Sequence, residues 1–251
     1  MTNVLIHQQM KQYRSLNKWF QTPLGVFAAN EFTTLLDTLP FKLQGDTLLQ
    51  LGACGDNQWL NKFAFSHKWI ASPFALNNKI DLQGEFNHLP LQQHSIDCVV
   101  APLSLEPFNL GTSLLDEIDR VLSPMGHVVL FCINPLSLWG SALKLNLLHC
   151  YHDRPVKLRT PLSLNRLFAQ RGFQQVALIN FCYLPPVNKS SWIKKLTFLD
   201  EIGKMLWPVP SAFYCLIARK YQIATPSYLV DERNVLEEYN PPLPAVTFKS
   251  S

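Results

Sequence analysis

Thr47-Leu48-Leu49-Gln50-Leu51-Gly52-Ala53-Cys54-Gly55-Asp56 is an apolar run that ends on a glycine pair. A buried parallel strand reads this way, and glycines directly after one let the backbone pass close to a ligand. Intact nucleotide-type loops of this kind carry a third glycine, where this chain has Asn57. The stretch suggests a strand feeding a cofactor-type turn, and the residues on either side must supply the rest of such a fold.

Downstream, strands and helices alternate. Residues 56–65 read as the helix that follows the glycine pair, residues 68–71 as a second strand, and residues 72–84 leave room for little more than a turn before the next motif. Residues 96–101 (IDCVVA) form a buried, parallel-type strand. The apolar positions Leu114, Leu115, Ile118, Val121 and Leu122 then repeat at helical spacing. Ser123-Pro124-Met125-Gly126 turns the chain into residues 127–133 (HVVLFCI), the strongest strand in the sequence. Helices are expected from the segment after Asn134 toward Leu148 and from Thr160-Pro161 to Arg171-Gly172; residues 175–183 and 212–220 are the last two strands. This order of six strand runs predicts a doubly wound, mostly parallel α/β sheet whose ligand lies at the carboxyl ends where the strand order reverses.

Upstream, residues 4–39 are helical with interruptions, and Thr22-Pro23 has the form of an N-cap followed by a first-turn proline. The resulting division is an N-terminal helical cap over residues 1–40, an α/β domain over 41–222 with an insert at 185–210, and an extended proline-bearing tail over 223–251. A helix is expected within the insert around residues 192–206. A chain of 251 residues that is 47% hydrophobic and 16% charged folds around a full core and is not disordered. The net charge of +4 is scattered, without the basic stripe and interleaved aromatics that nucleic acid calls for. No run approaches a membrane span or a signal peptide, which points to a cytoplasmic protein. The six cysteines stand singly, with no metal or redox spacing, and read as reduced core residues, so no metal is expected.

Taken together, residues 84–91 (GEFNHLPL), 95–100 (SIDCVV), 115–122 and 123–130 (SPMGHVVL) resemble the core of a class I S-adenosylmethionine-dependent methyltransferase of the small-molecule type. The likeness runs over residues 45–135 and returns at Ile217-Ala218-Arg219-Lys220. The segment Asn134-Pro135-Leu136-Ser137-Leu138-Trp139-Gly140 further resembles a bacterial methyltransferase-like group with a degraded glycine loop and a similar helical cap.

The resemblance implies a Rossmann-like methyltransferase fold, a doubly wound α/β sheet of seven mostly parallel strands, and S-adenosylmethionine as cofactor. It places Gly52, Ala53, Cys54 and Gly55 along the methionine and ribose, Ser72 where an acid usually meets the ribose diol, and Glu85 and Phe86 at the adenine. It also places Pro102 near the sulfonium. Glu106 becomes a candidate acid or base, and Asn134 and Trp139 border the methyl acceptor, with Tyr13 and Trp19 of the cap as lids. Gln50 stands where the resemblance expects a carboxylate facing the cofactor's amino group. The implied activity is methyl transfer to a small molecule. The alternative is a catalytically inactive relative that keeps the fold as a binding or interaction module; a nicotinamide-dependent oxidoreductase is disfavoured by the missing third glycine and the missing acid. In the inactive case Trp59, Phe74 or Phe86 would fill the groove, and Glu85 and Glu106 could equally be solvated loop acids.

Overall fold

The seven strands form one sheet in the order β3-β2-β1-β4-β5-β7-β6, in a computed structural model that describes residues 2–74, 80–107, 112–151, 156–187, 195 and 210–221. They are β1 (Gln44–Leu51), β2 (Ala64–Ser72), β3 (Leu82–Gln83), β4 (Ile96–Pro102), β5 (Leu122–Ile133), β6 (Phe173–Phe181) and β7 (Phe213–Lys220). β1 to β5 run parallel; β7 is antiparallel to both β5 and β6. The order reverses between β1 and β4. In folds of this type such a reversal marks the ligand crevice, which here falls at the carboxyl ends of these two strands, directly beyond Leu51 and Pro102.

The helices are α1 (Thr2–Trp19), α2 (Pro23–Asp37), α3 (Thr112–Val121), α4 (Leu138–Lys144) and α5 (Pro161–Ala169). The two Thr-Pro starts form as expected: Thr22 accepts from the Gly25 amide and Thr160 from the Ser163 amide, each followed by proline at the first helical position. One face of the sheet is covered by α2, whose Phe32 stacks on Phe131 with ring centroids 4.4 Å apart and 7° between planes. The other face buries Leu114, Leu115 and Ile118 of α3 together with Leu164 and Phe168 of α5.

Three expectations are corrected. The helix read over residues 56–65 is a single 3-10 turn, Gln58–Lys62. With β1 ending at Leu51 and β2 starting at Ala64, the connection is about the minimum for a parallel crossover and leaves no room for a full helix. α2 packs against that turn and takes over the sheet face such a helix would cover. Second, β5 starts at Leu122, so the expected turn at 123–126 is an irregular part of the strand: pairing with β4 shifts register between Ile96 and Cys98, and Met125 has φ +67. Third, the helix after Asn134 stops at Lys144, short of Leu148. The expected helix within residues 192–206 and the tail over 223–251 lie outside the described residues, apart from Lys195.

No helix among the described residues is long and apolar enough to cross a membrane.

Candidate functional site at the carboxyl ends of the strands

β1 delivers the glycine loop to the crevice. Gly52 has φ +91 and Gly55 φ +59, a left-handed backbone that favours glycine. A Cβ on Gly52 would meet the Ser104 hydroxyl oxygen at 2.8 Å, so a side chain there must push that hydroxyl aside. In conformation the loop fits a cofactor seat. Its donors, however, are bonded within the protein: the Cys54 amide donates to Asn57 Oδ1 at 2.9 Å and the Gly55 amide to Asn17 Oδ1 of α1 at 2.8 Å.

Gln50 explains why the carboxylate is missing. Its side chain is fully buried; Oε1 accepts from the Trp59 indole at 2.8 Å, and Nε2 donates to Asn57 Oδ1 at 2.6 Å and to the Gly52 carbonyl at 2.7 Å. An amide satisfies one donor and two acceptors here; a carboxylate would have no proton for the two acceptors. The position holds the loop's shape.

Above the loop lies α1. Tyr13, 2% exposed, donates its hydroxyl to the Ser104 carbonyl at 2.6 Å and sets its ring edge on Phe86 at 5.1 Å and 74°. Phe20, just after α1, packs on Gly55, where an added Cβ would lie 3.0 Å from the Phe20 Cβ. Tyr13 and Trp19, expected as lids, are therefore core residues in this conformation. Ala53, Cys54, Ser72, Phe86 and Pro102 are buried with the two loop glycines. Trp59, Phe74 and Phe86 are buried as well. Glu85 alone of the expected cofactor contacts is exposed, at the start of a turn closed by the His88 amide on its carbonyl. Glu117 and Arg120 of α3 pin that segment through the Leu89 amide and the Leu89 and Leu91 carbonyls.

Glu106, four residues past β4, is the opposite case to Glu85. It is 4% exposed, so the solvated reading is overturned for it. Its Oε1 accepts the Ile133 amide at 3.1 Å, whereas Oε2 makes no hydrogen bond of good geometry among the described residues, the Tyr151 hydroxyl being the side-chain donor that acts on the carboxyl. Burial pushes its pKa up to about 7, partly offset by the Ile133 amide, its own amide, the Tyr151 hydroxyl and the Leu105 amide. The groups that feel its charge are Tyr13, Cys54, Cys132, Cys150, Tyr151 and Tyr214, whose own pKa values rise mainly through burial. The thiols are therefore neutral at physiological pH and poor nucleophiles. A small cleft of about 10 Å³, space for roughly one water, joins Glu106 to Cys132, Tyr214, Lys157 and Arg159. Asn134, half-buried past β5, uses its Oδ1 to accept the Leu136 amide at 3.1 Å, and Trp139 donates its indole to the Leu184 carbonyl. A larger cavity, about 250 Å³, lies at the amino ends of β1 and β2 between Leu36, Leu43 and Phe63. It touches none of the expected site residues.

At the carboxyl ends of the strands thus lie the glycine loop, Ser72, Pro102 and Glu106, with Phe86 against Tyr13, Asn134 just past β5 and Glu85 exposed beside Phe86. Sequence reading missed Asn17, Ser104 and the Gln50–Asn57–Trp59 network. Only the polar identity of residue 50 after an apolar run hinted at the last.

Among the described residues, no group of three or more His, Cys, Asp or Glu could hold a metal ion.

Comparison with known proteins agrees with this architecture. Residues 64–130 match the methyltransferase domain family, from the first residue of β2 into β5, beginning beyond the glycine loop. The fold is that of the class I S-adenosylmethionine-dependent methyltransferases. A SAM-dependent methyltransferase from Thermotoga maritima superposes with a TM-score of 0.59 at 16% identity, covering 81% of this chain and 93% of its own. An S-adenosylmethionine-dependent methyltransferase from Mesorhizobium loti gives 0.52 at 17% identity, covering 74% and 96%. Geranyl diphosphate C-methyltransferase from Streptomyces coelicolor, solved with S-adenosyl-L-homocysteine, gives 0.51 at 15% identity, covering 77% and 79%. No curated protein matches the sequence.

Proposed function

We propose that this protein binds S-adenosylmethionine in the crevice between β1 and β4 and transfers its methyl group to a small molecule. The observation that carries the reading is the placement of two left-handed glycines, Gly52 and Gly55, at the topological switch of a domain whose residues 64–130 match methyltransferases. When bound, the cofactor supplies an activated sulfonium methyl. The chain's part is chiefly to align that methyl with a nucleophile and exclude water, so a catalytic base is dispensable. Gly52 and Gly55 give close backbone approach, Ser72 offers a hydroxyl to the ribose and Phe86 a face to the adenine. Glu85 reaches the adenine amino group from the rim. Pro102 stiffens the backbone beside the sulfonium, and Asn134 borders the acceptor. Glu106 is the buried carboxyl at these strand ends, able to hold a proton or a cation.

Binding requires α1 to move. With Tyr13 over Gly52 and Asn17 on the Gly55 amide, the seat opens only as the cap withdraws. Calorimetric titration with S-adenosylhomocysteine tests the reading: it should give saturable binding, and the absence of both heat and thermal shift at millimolar ligand would sink it. The second reading, a binding or interaction module without turnover, is favoured by the internal satisfaction of Gln50 and of the loop amides. It predicts that same absence of heat.

A further inference from the structure

We propose that Glu106 supplies the carboxylate that position 50 lacks, holding the ammonium of the cofactor's methionine part in the slot that Tyr13 fills in this conformation. The inference rests on the methyltransferase reading and concerns which side chain anchors the cofactor.

Three observations converge. The Tyr13 hydroxyl ends on the Ser104 carbonyl at 2.6 Å, and its ring edge is 3.7 Å from where a Gly52 Cβ would stand. A hydrogen-bond donor thus already sits against a backbone acceptor in the β1–β4 crevice, and an ammonium entering the slot can donate to the same carbonyl. Position 50 cannot take part, because the Gln50 amide is committed to Trp59, Asn57 and the Gly52 carbonyl. Glu106, two residues beyond Ser104, is buried with Oε2 making no hydrogen bond of good geometry among the described residues, and beside the Tyr151 hydroxyl its charge acts on Tyr13 and Cys54 at the loop. A buried, half-satisfied carboxyl is costly unless a cation or donor completes it. An ammonium does both.

Two probes separate anchoring from general upkeep of the fold. S-adenosylhomocysteine carries the amino acid part; 5′-methylthioadenosine shares the nucleoside and thioether but lacks it. Glu106→Gln keeps the size of the side chain and an oxygen for the Ile133 amide. It should weaken S-adenosylhomocysteine about tenfold or more, the loss of one charge-assisted hydrogen bond, and change 5′-methylthioadenosine affinity less than about twofold. Tyr13→Phe, which frees the Ser104 carbonyl while keeping the ring, should tighten S-adenosylhomocysteine a few-fold, and Tyr13→Ala should tighten it further. Thermal unfolding of each variant confirms that it folds. Equal losses for both probes, or none for S-adenosylhomocysteine, in Glu106→Gln overturn the inference and leave the methyltransferase reading standing. Weaker binding in both Tyr13 variants overturns the slot assignment. If neither probe binds the wild type or Tyr13→Phe at millimolar concentration, the methyltransferase reading falls and the inference with it.

Discussion

The glycine loop and the Glu106 pocket share one edge of the sheet, yet polar groups are treated oppositely in them. Around the loop every polar group of Gln50 has a partner, Asn57 serves two donors, and α1 closes the top with Asn17 and Tyr13. At Glu106, a carboxyl is buried with one oxygen that makes no hydrogen bond of good geometry among the described residues. A network with all its members satisfied stiffens a core, whereas an unsatisfied buried charge is kept at a cost to stability. The contrast separates what holds the crevice shut from what is left to meet a ligand.

Importing a charge into the satisfied region should have the largest effect. Gln50→Glu sets carboxylate oxygen against Asn57 Oδ1 and the Gly52 carbonyl. We expect a loss of about 3 kcal/mol or more in chemical denaturation at neutral pH, the scale of a buried uncompensated charge; a loss below about 1 kcal/mol would erase the distinction.

Removing the charge from the unsatisfied region should do the reverse. The pKa of Glu106 rises from 4.5 to about 7 on folding, so its acid form is favoured in the folded state. That contribution is fully present below pH 4.5 and lost as pH rises to about 7, a decline of up to about 3 kcal/mol. Glu106→Gln should abolish this decline and leave the variant more stable than wild type at pH 8. Parallel stability–pH curves for the two proteins would show that the acid is not desolvated.

Asn17→Ala should have the smallest effect. It strands the Gly55 amide and should lower stability by about 1 kcal/mol while speeding hydrogen exchange at residues 52–57. Unchanged exchange there would mean that α1 does not hold the loop.

How far this contrast could be read from sequence follows from the range of the contacts. β4 and the core of β5 were legible because runs such as 96–101 and 127–133 are buried on both faces and carry their own signal. The Thr-Pro helix starts were legible because capping is local. The turn at Gln58–Lys62 was not, since Trp59 and Leu60 fit a helix equally well and only the tertiary reach of α2 decides the matter. At the site, the glycine pair and the absence of an acid at position 50 could be read directly. The burial of Glu106 could not: a glutamate in a loop looks solvated until Ile133, Tyr151 and Tyr214 close around it. Tyr13 reads in sequence only as an aromatic near the N-terminus, because its bond to Ser104 spans 91 positions and leaves no local trace.

Hydrogen–deuterium exchange with and without saturating S-adenosylmethionine decides whether α1 gives way to the cofactor. Exchange should quicken across residues 10–20 as α1 leaves the strand ends, and slow across residues 102–106, where the cofactor takes its place. Unchanged exchange in both segments would contradict that displacement, and so would protection of α1 in its present position.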